Sequence, residues 1–356
     1  MTIYSRIEEK IARDEPLSLT DALAILGGDS TGMLQLLDTA YRLRKKYFSD
    51  KVTLHVLNNV QNGLCSEDCR YCAQSSASSA SIEAYPMKPD DEVLAEAAAA
   101  YHSGAGRYCM VFAGTGPSDE RVRHLTGLIR EIKRRHKIEV CVSPGVINEA
   151  QARALKGAGL DRLNHNLNTS EKYYGRICTS HTYADRLGTL AAAHAAGLDI
   201  CSGVIIGMGE GQEDVYAMAR KLGDLGVSSI PVNFFIPIPG VALKEAKGLT
   251  PEYCLRVLCL FRLMNPRSEI RMAAGREIHL RSLQPLGLYP ANSLFLQGYL
   301  NARGSSDAAT LRMIMDMGFS IESEVPLEGL LSDQQSQPGP GRLKDREALR
   351  PFQGRT

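Results

Sequence analysis

From about residue 52 onward, short apolar runs alternate with longer amphipathic segments, and this constrains the fold more than any other feature. The strand candidates are Thr53–Val60, Arg107–Gly114, Ile138–Val142, Arg162–Leu167, Asp199–Ile206, Ile230–Ile236, Glu269–Ala273 and Asn292–Leu296. Between them, apolar residues recur at helical spacing over about 90–103, 119–136, 148–158, 181–196, 211–224, 250–264 and 276–285, with a further segment at 306–318. Strand-then-helix repetition implies parallel strands. Eight such units predict an α/β fold, a (β/α)8 barrel of the TIM type. A doubly wound open sheet is the alternative.

The flanks differ from this pattern. Residues 1–48 read as helical: Leu19-Thr20-Asp21 leads into Ala22–Leu26, Gly27-Gly28 stops that run, and Thr31 to Tyr47 again carries apolar residues at helical spacing. The expected organisation is an N-terminal helical cap (1–48), the barrel (49–324) and a C-terminal tail (325–356). Ser332-Asp-Gln-Gln-Ser-Gln-Pro-Gly-Pro-Gly-Arg342 is too polar and too rich in breakers to fold alone, so the tail is expected to be disordered.

Composition narrows the class. A 44% hydrophobic share with 23% charged residues is that of a soluble globular protein, and a formal charge of +1 argues against a nucleic-acid surface. No apolar run approaches the roughly 20 residues that span a bilayer. The first ten residues lack the apolar core of a secretory signal. Nine cysteines, an odd number, fit a reducing compartment with free or metal-bound thiols. The expected location is the cytoplasm.

Three of those cysteines fall within eight residues, Cys65-Ser-Glu-Asp-Cys69-Arg-Tyr-Cys72. Thiolates at this spacing can converge on one metal centre, and soft sulfur ligands select iron–sulfur clusters, zinc or copper(I). A closed zinc site or an electron-transfer cluster wants four protein ligands, yet the next cysteine is Cys109. Three thiolates on a cubane cluster leave one iron open to a ligand that is not protein. The triplet also follows directly on the first barrel strand, through Gln61-Asn62-Gly63, where the active sites of such barrels lie.

The other cysteines sort by position. Cys254 and Cys259 sit among leucines on a helical segment and read as core packing, and Cys178 reads as a loop bystander. Cys109, Cys141 and Cys201 fall in three separate strands, and Arg271 lies between Ile270 and Met272 in a fourth. Alternate residues of barrel strands face a common interior, where a buried guanidinium needs a partner. Core packing and a second metal centre are both open on these grounds.

The triplet, with Tyr71 before its third cysteine, resembles the signature of the radical S-adenosylmethionine enzymes. That resemblance implies a [4Fe–4S] cluster on Cys65, Cys69 and Cys72, the catalytic set. Its open iron would be chelated by S-adenosylmethionine, which is cleaved to a 5′-deoxyadenosyl radical. Within that superfamily the chain resembles the biotin synthase family over about residues 50 to 320. The matching stretches are Cys65–Ser75, Arg107-Tyr-Cys-Met110, Asn164-His-Asn-Leu-Asn-Thr-Ser170, Cys201-Ser-Gly-Val-Ile-Ile-Gly-Met-Gly-Glu210, Ile230-Pro-Val-Asn233 and Ala274-Gly-Arg-Glu277.

What this implies is specific: sulfur insertion converting dethiobiotin to biotin, with a [2Fe–2S] cluster on Cys109, Cys141, Cys201 and Arg271 as sulfur source. It assigns S-adenosylmethionine contacts to Tyr71, Asn166, Asn168, His181, Gly207 and Glu210. It assigns substrate contacts to Asn164, Asn166 and Asn233, neutral amides that suit a cyclic urea. Some members carry aspartate where Asn168 stands and arginine where His181 stands. A homodimer and a flavodoxin- or ferredoxin-type electron donor are implied by the resemblance alone, with no nucleic-acid or membrane partner. The alternatives are another radical enzyme of similar barrel, of the hydrogenase-maturation or pyrrolysine-pathway type, and a non-enzymatic iron–sulfur or zinc protein that senses redox state through the triplet.

Overall fold

Lys51–Gln61 (β1) is buried on both faces over most of its length, as a parallel strand covered by helices must be. In the computed structural model, which describes residues 3–28 and 31–331, it is followed by β2 (Arg107–Phe112), β3 (Glu139–Ser143), β4 (Arg162–Asn164), β5 (Asp199–Cys201), β6 (Val204–Ile206), β7 (Ser229–Phe234), β8 (Glu269–Met272) and β9 (Ser293–Phe295). All pair in parallel. β9 returns to β1, with Thr53 opposite Ser293 and His55 opposite Phe295, so the sheet closes. β5 and β6 both pair with β7 and share one position. The eight-stranded (β/α)8 barrel is therefore borne out, and the open sheet is not.

The run 199–206, read from sequence as one strand, is broken at Ser202-Gly203. A Cβ on Gly203 would lie 2.2 Å from the carbonyl oxygen of Pro231 in β7. Only glycine permits that approach.

Three helices precede the barrel: α1 (Ile3–Ala12), α2 (Leu19–Gly27) and α3 (Met33–Phe48). Those that follow are α4 (Asp90–His102), α5 (Asp119–Arg135), α6 (Glu149–Gly157), the single turn α7 (Glu171–Tyr174), α8 (Tyr183–Ala195), α9 (Gln212–Asp224), α10 (Pro251–Met264), α11 (Arg276–His279) and α12 (Asp307–Asp316). Their starts are written in side chains. Asn148 and Thr182 form reciprocal capping boxes with Gln151 and Asp185, and Ser118, Thr250 and Ser306 each accept a first-turn N–H.

α10 is buried from Cys254 to Leu263 because it lies between the barrel and the preceding helices α2 and α3. Arg256 fixes that arrangement by donating to the carbonyls of Ile25 and Thr31. Cys254 and Cys259 are fully buried there as packing.

Beyond α11 the expected helix over 276–285 gives way to a 3-10 segment, Arg281–Leu288, which contains Pro285. Proline removes an N–H that a continuing α-helix requires. A hairpin of β10 (Gly298–Tyr299) and β11 (Ala302–Arg303) follows β9, and β12 (Ser320–Glu322) pairs with the start of β1. The first residues of the expected tail, from 325 to 331, are folded. Glu328–Leu331 forms a 3-10 turn, and Leu327 fills the space beside Gly104, 2.3 Å from where a Cβ would stand. Residues 332–356 lie outside the described residues. No helix among the described residues is long and apolar enough to cross a membrane.

Candidate active site

Side chains two apart on a strand face the same way, and the strand register stacks the barrel interior in layers. His55 aligns with Arg107 and Arg107 with Glu139. Two residues further along, Leu57 aligns with Cys109 and Cys109 with Cys141. Glu269 and Arg271 are likewise two apart on β8. TIM-type interiors are ordinarily filled by branched apolar residues. This one holds a charged layer beneath a layer of thiols.

Glu269 is the centre of the charged layer. Its carboxylate accepts from Arg107 Nη1 at 3.1 Å, Arg271 Nη2 at 2.5 Å, Ser229 Oγ at 3.0 Å and Ser293 Oγ at 2.8 Å, and His55 Nε2 lies 3.1 Å away. Burial alone would raise its pKa, but the Arg107 and Arg271 guanidiniums and His55 hold it well below the usual carboxylate range. Burial, reinforced by Arg271, holds His55 far below its ordinary value, so the imidazole is neutral.

Above this layer Cys109, Cys141 and Cys201 pack together with Ala273 and Phe295. Arg271 Nη1 lies 3.8 Å from Cys201 Sγ, and its guanidinium stacks 5.0 Å from the centre of the Phe295 ring. Asn164 Nδ2 is 3.2 Å from the same sulfur. Cys141 beside them and the Arg271 guanidinium hold Cys109 and Cys201 down against the upward push of burial, while Cys141 itself is raised. Lowered thiols are disposed to be thiolates, the form that binds metal. One atom is left over: Arg271 Nε is buried without a hydrogen-bond partner. An orphaned buried N–H is costly, and a guanidinium drawn toward a group among the three thiols fits it. The donor set of three thiols and a nitrogen matches an iron–sulfur centre.

The triplet sits at the other end of the same cavity, which has a volume of about 290 Å³. Cys65, Cys69 and Cys72 all line it, together with Cys109, Cys141 and Arg271 deeper in the barrel. All are free thiols. The loop that carries the triplet leaves β1 through Gly63 and Leu64, both at positive φ. It is anchored by Asp68, whose carboxylate accepts the N–H groups of Thr179 (2.9 Å) and Ser180 (3.0 Å) and the Thr179 hydroxyl. Against the upward push of burial, these bonds hold Asp68 well below its ordinary range. Three thiols from one loop on a cavity wall, none of them in a disulfide, fit a cluster with an open position.

The asparagine row divides in use. Asn164 donates to Asn166 at 3.2 Å, so the two do face one side, and both line the cavity with Asn168. Asn168 occupies the left-handed region (φ 67°), which asparagine and aspartate tolerate, and donates to the Tyr71 hydroxyl at 2.6 Å. Asn166 also accepts the Gly203 N–H at 2.9 Å. The amide of Asn233 is spent on the fold, donating to the Val204 carbonyl (2.9 Å) and accepting from the Ala274 N–H (3.1 Å), although the residue borders the cavity.

His181 contacts Glu67 (2.5 Å) and Cys178 (3.3 Å) at Nδ1 and Arg186 (2.8 Å) at Nε2. Its pKa is raised, chiefly by Cys178 and in spite of burial. Gly207 and Glu210 are not among the cavity's lining residues. Glu210 turns back to accept the N–H groups of Gly207 (2.6 Å) and Met208 (2.9 Å), which shapes the loop after β6, and Ile205 faces the cavity instead.

Several site residues escape sequence reasoning. Arg186 lines the cavity and donates to the Asn166 carbonyl at 2.8 Å. Its signal was a charge on the buried face of α8, between Tyr183 and Leu190 at helical spacing. Glu67 accepts from Thr115, Ser180 and His181 inside the motif itself. Cys178, read as a bystander, has its sulfur 3.7 Å from that of Cys69.

Comparison with known proteins agrees with this geometry. The chain matches the family profile of the radical SAM superfamily over residues 59–222 and that of the biotin and thiamin synthesis associated domain over residues 231–320. It is 50% identical over 319 residues to biotin synthase from Acaryochloris marina (strain MBIC 11017), covering 90% of this chain and 92% of that one. It is 52% identical over 300 residues to biotin synthase from Magnetococcus marinus, covering 84% and 94%. Among solved structures, methylornithine synthase superposes with a TM-score of 0.77 at 18% identity, covering 91% of this chain and 100% of that one. The FeFe-hydrogenase maturase HydG from Carboxydothermus hydrogenoformans gives 0.76 at 19%, covering 89% and 79%. At those identities the structural likeness speaks for the fold alone. Membership of the superfamily implies S-adenosylmethionine and iron–sulfur cofactors. Two curated relatives about half identical along nearly the whole barrel decide the rest: the chain belongs to the biotin synthase family of radical S-adenosylmethionine enzymes.

Proposed function

We propose that this chain converts dethiobiotin to biotin by radical-mediated sulfur insertion, acting as a sulfurtransferase. The observation that carries the reading is the packing of Cys109, Cys141 and Cys201 beside the under-bonded Arg271: Cys109, Cys141 and Arg271 line the floor of a cavity whose wall holds Cys65, Cys69 and Cys72, and Cys201 packs against them without lining it. In this reading the triplet holds a [4Fe–4S] cluster and the deeper set a [2Fe–2S] cluster. When bound, these groups and S-adenosylmethionine supply a carbon-centred radical at the wall and a sulfur atom at the floor.

The chain's own part is placement. The cavity separates the two thiol sets with room for a small substrate between them, and hydrogen abstraction demands near contact between radical and target carbon, away from water. Asn164 and Asn166 offer neutral amides on one side, suited to a ureido ring, and Asn233 borders the same space. Tyr71, held by Asn168, and the His181–Arg186 pair flank the triplet, where the cosubstrate's carboxylate and ribose are read to bind. Arg186 supplies positive charge there, the role that the family's arginine at the His181 position suggests. Gly207 and Glu210 act in this reading by shaping the adenine side of the loop. A homodimer served by a flavodoxin- or ferredoxin-type donor, supported by the resemblance alone, and a cytoplasmic location, supported by the cysteine usage, complete it.

Anaerobic reconstitution with iron and sulfide, followed by iron analysis and Mössbauer spectroscopy, tests the reading on wild type and a Cys109→Ala/Cys141→Ala variant. Wild type is expected to hold two kinds of cluster and to form biotin from dethiobiotin. The variant should lose only the smaller cluster and all product. A wild type with a single cluster would make the barrel thiols core packing and remove sulfur insertion.

A further inference from the structure

The sulfur of Cys178 touches that of Cys69 at 3.7 Å, and the mechanism above gives it nothing to do. The contact is not accidental to loop position. Asp68, next to Cys69, gathers the backbone of Thr179 and Ser180, next to Cys178, so the same carboxylate clamps both loops together. Arg70 N–H donating to the Ile177 carbonyl at 2.9 Å completes the clamp on the other side of the pair. Two thiols are thus held in contact by a brace that needs no metal. Their exposures differ in a useful way. Both are buried, at 8% for Cys69 and 2% for Cys178, but Cys69 lines the cavity and Cys178 lies behind it.

We propose that Cys178 is a resolving thiol for Cys69, and that a hydroperoxide entering the cavity of the cluster-free chain converts the pair to a disulfide. Cys69, which donates its S–H to Cys178, passes that proton across and its sulfur attacks a peroxide oxygen, forming an S–O bond and breaking the O–O bond, with the leaving hydroxide or alkoxide taking the proton from Cys178. The Cys178 thiolate then attacks the Cys69 sulfur, forming the S–S bond and expelling hydroxide. In sum two thiols are oxidised by two electrons, the peroxide is reduced, and the thiol protons leave in water. The bond shields Cys69 from irreversible over-oxidation, which a sulfenic acid without a neighbouring thiol would reach. It also withdraws Cys69 from iron until a dithiol reopens it. That second consequence rests on the reading of Cys69 as a cluster ligand; the bond itself does not.

The test is peptide mapping of the full chain, stripped of iron, treated with one equivalent of hydrogen peroxide and alkylated without reduction. Wild type is expected to yield a linked pair of peptides containing Cys69 and Cys178, and Cys178→Ser to yield none. On anaerobic reconstitution, oxidised wild type should lose the four-iron signal and recover it after a dithiol. A Cys178 that remains alkylatable after oxidation, or a Cys69 linked only to Cys65 or Cys72 in wild type, overturns the proposal. A Cys69–Cys178 link with undiminished iron uptake upholds it and instead removes Cys69 from the cluster.

Discussion

His55 is wholly buried between Arg107 and Glu269, and its neutrality has a consequence for stability. A group whose pKa is depressed by folding contributes stability that is complete above its unfolded value, about 6.5 for histidine, and lost as pH falls toward the folded value. Between about pH 6.5 and pH 5 the unfolded chain takes up a proton at this position that the folded chain refuses. Each such proton steepens the fall by about 1.4 kcal/mol per pH unit. Urea unfolding of the cluster-free chain should therefore show a slope about that much shallower in His55→Gln than in wild type. Glu269 does not confuse the comparison, since its depressed pKa matters only below about 4.3. His181 has the opposite sign but is common to both proteins. Coincident slopes would mean that His55 is charged in the folded barrel.

The same residues mark the limit of what the sequence made legible. Cys109, Cys141, Cys201 and Arg271 were visible because thiols and a guanidinium inside apolar strands are unusual. The charged layer under them was present in the same strands, two residues earlier, as Arg107, Glu139 and Glu269. It was not read because charges at strand starts ordinarily meet solvent. Only closure of the barrel buries Arg107 and Glu269, while Glu139 beside them stays partly exposed.

At the level of elements, strand and helix order was almost fully legible, because parallel strands and capped helices follow local rules. The break between β5 and β6 was not, since it depends on Pro231, 28 positions from Gly203 in sequence but next to it in space. A methyl on Gly203 has no room beside the Pro231 carbonyl, so Gly203→Ala should be destabilised by about 1–3 kcal/mol, the usual toll of overpacking, and melt at lower temperature. Cys201 lies two residues away, and the Gly203 N–H is held by Asn166. The variant should accordingly lose iron from the deeper thiols before it loses iron from the triplet. A melting temperature and iron content equal to wild type would show that the approach does not shape the break. The hydrogen bonds that Asn233 and Glu210 make to backbone were likewise hidden: each residue type suited a ligand, and only the folded loops reveal that their polar atoms are already engaged.

Across the molecule the two thiol sets stand on separate supports. The triplet rides on one loop, braced by Asp68 against the Cys178 loop, while the deeper set is built into β2, β3, β5 and β8 over the Glu269 layer. Neither set borrows a residue from the other, yet both open on one cavity. Damage at one should therefore leave the other assembled but idle. Cys69→Ala should retain the iron of the deeper centre and abolish S-adenosylmethionine cleavage. Cys201→Ala should retain the triplet's iron and S-adenosylmethionine cleavage yet yield no biotin, and its uncaptured radical should still release 5′-deoxyadenosine. Anaerobic assays of 5′-deoxyadenosine and biotin on the two variants read this directly. Biotin from either variant removes the role assigned to the missing thiol. Loss of both clusters in Cys201→Ala would mean that the barrel interior and the β1 loop fold as one unit, so that the cavity, and not either thiol set, is the element on which cluster assembly depends.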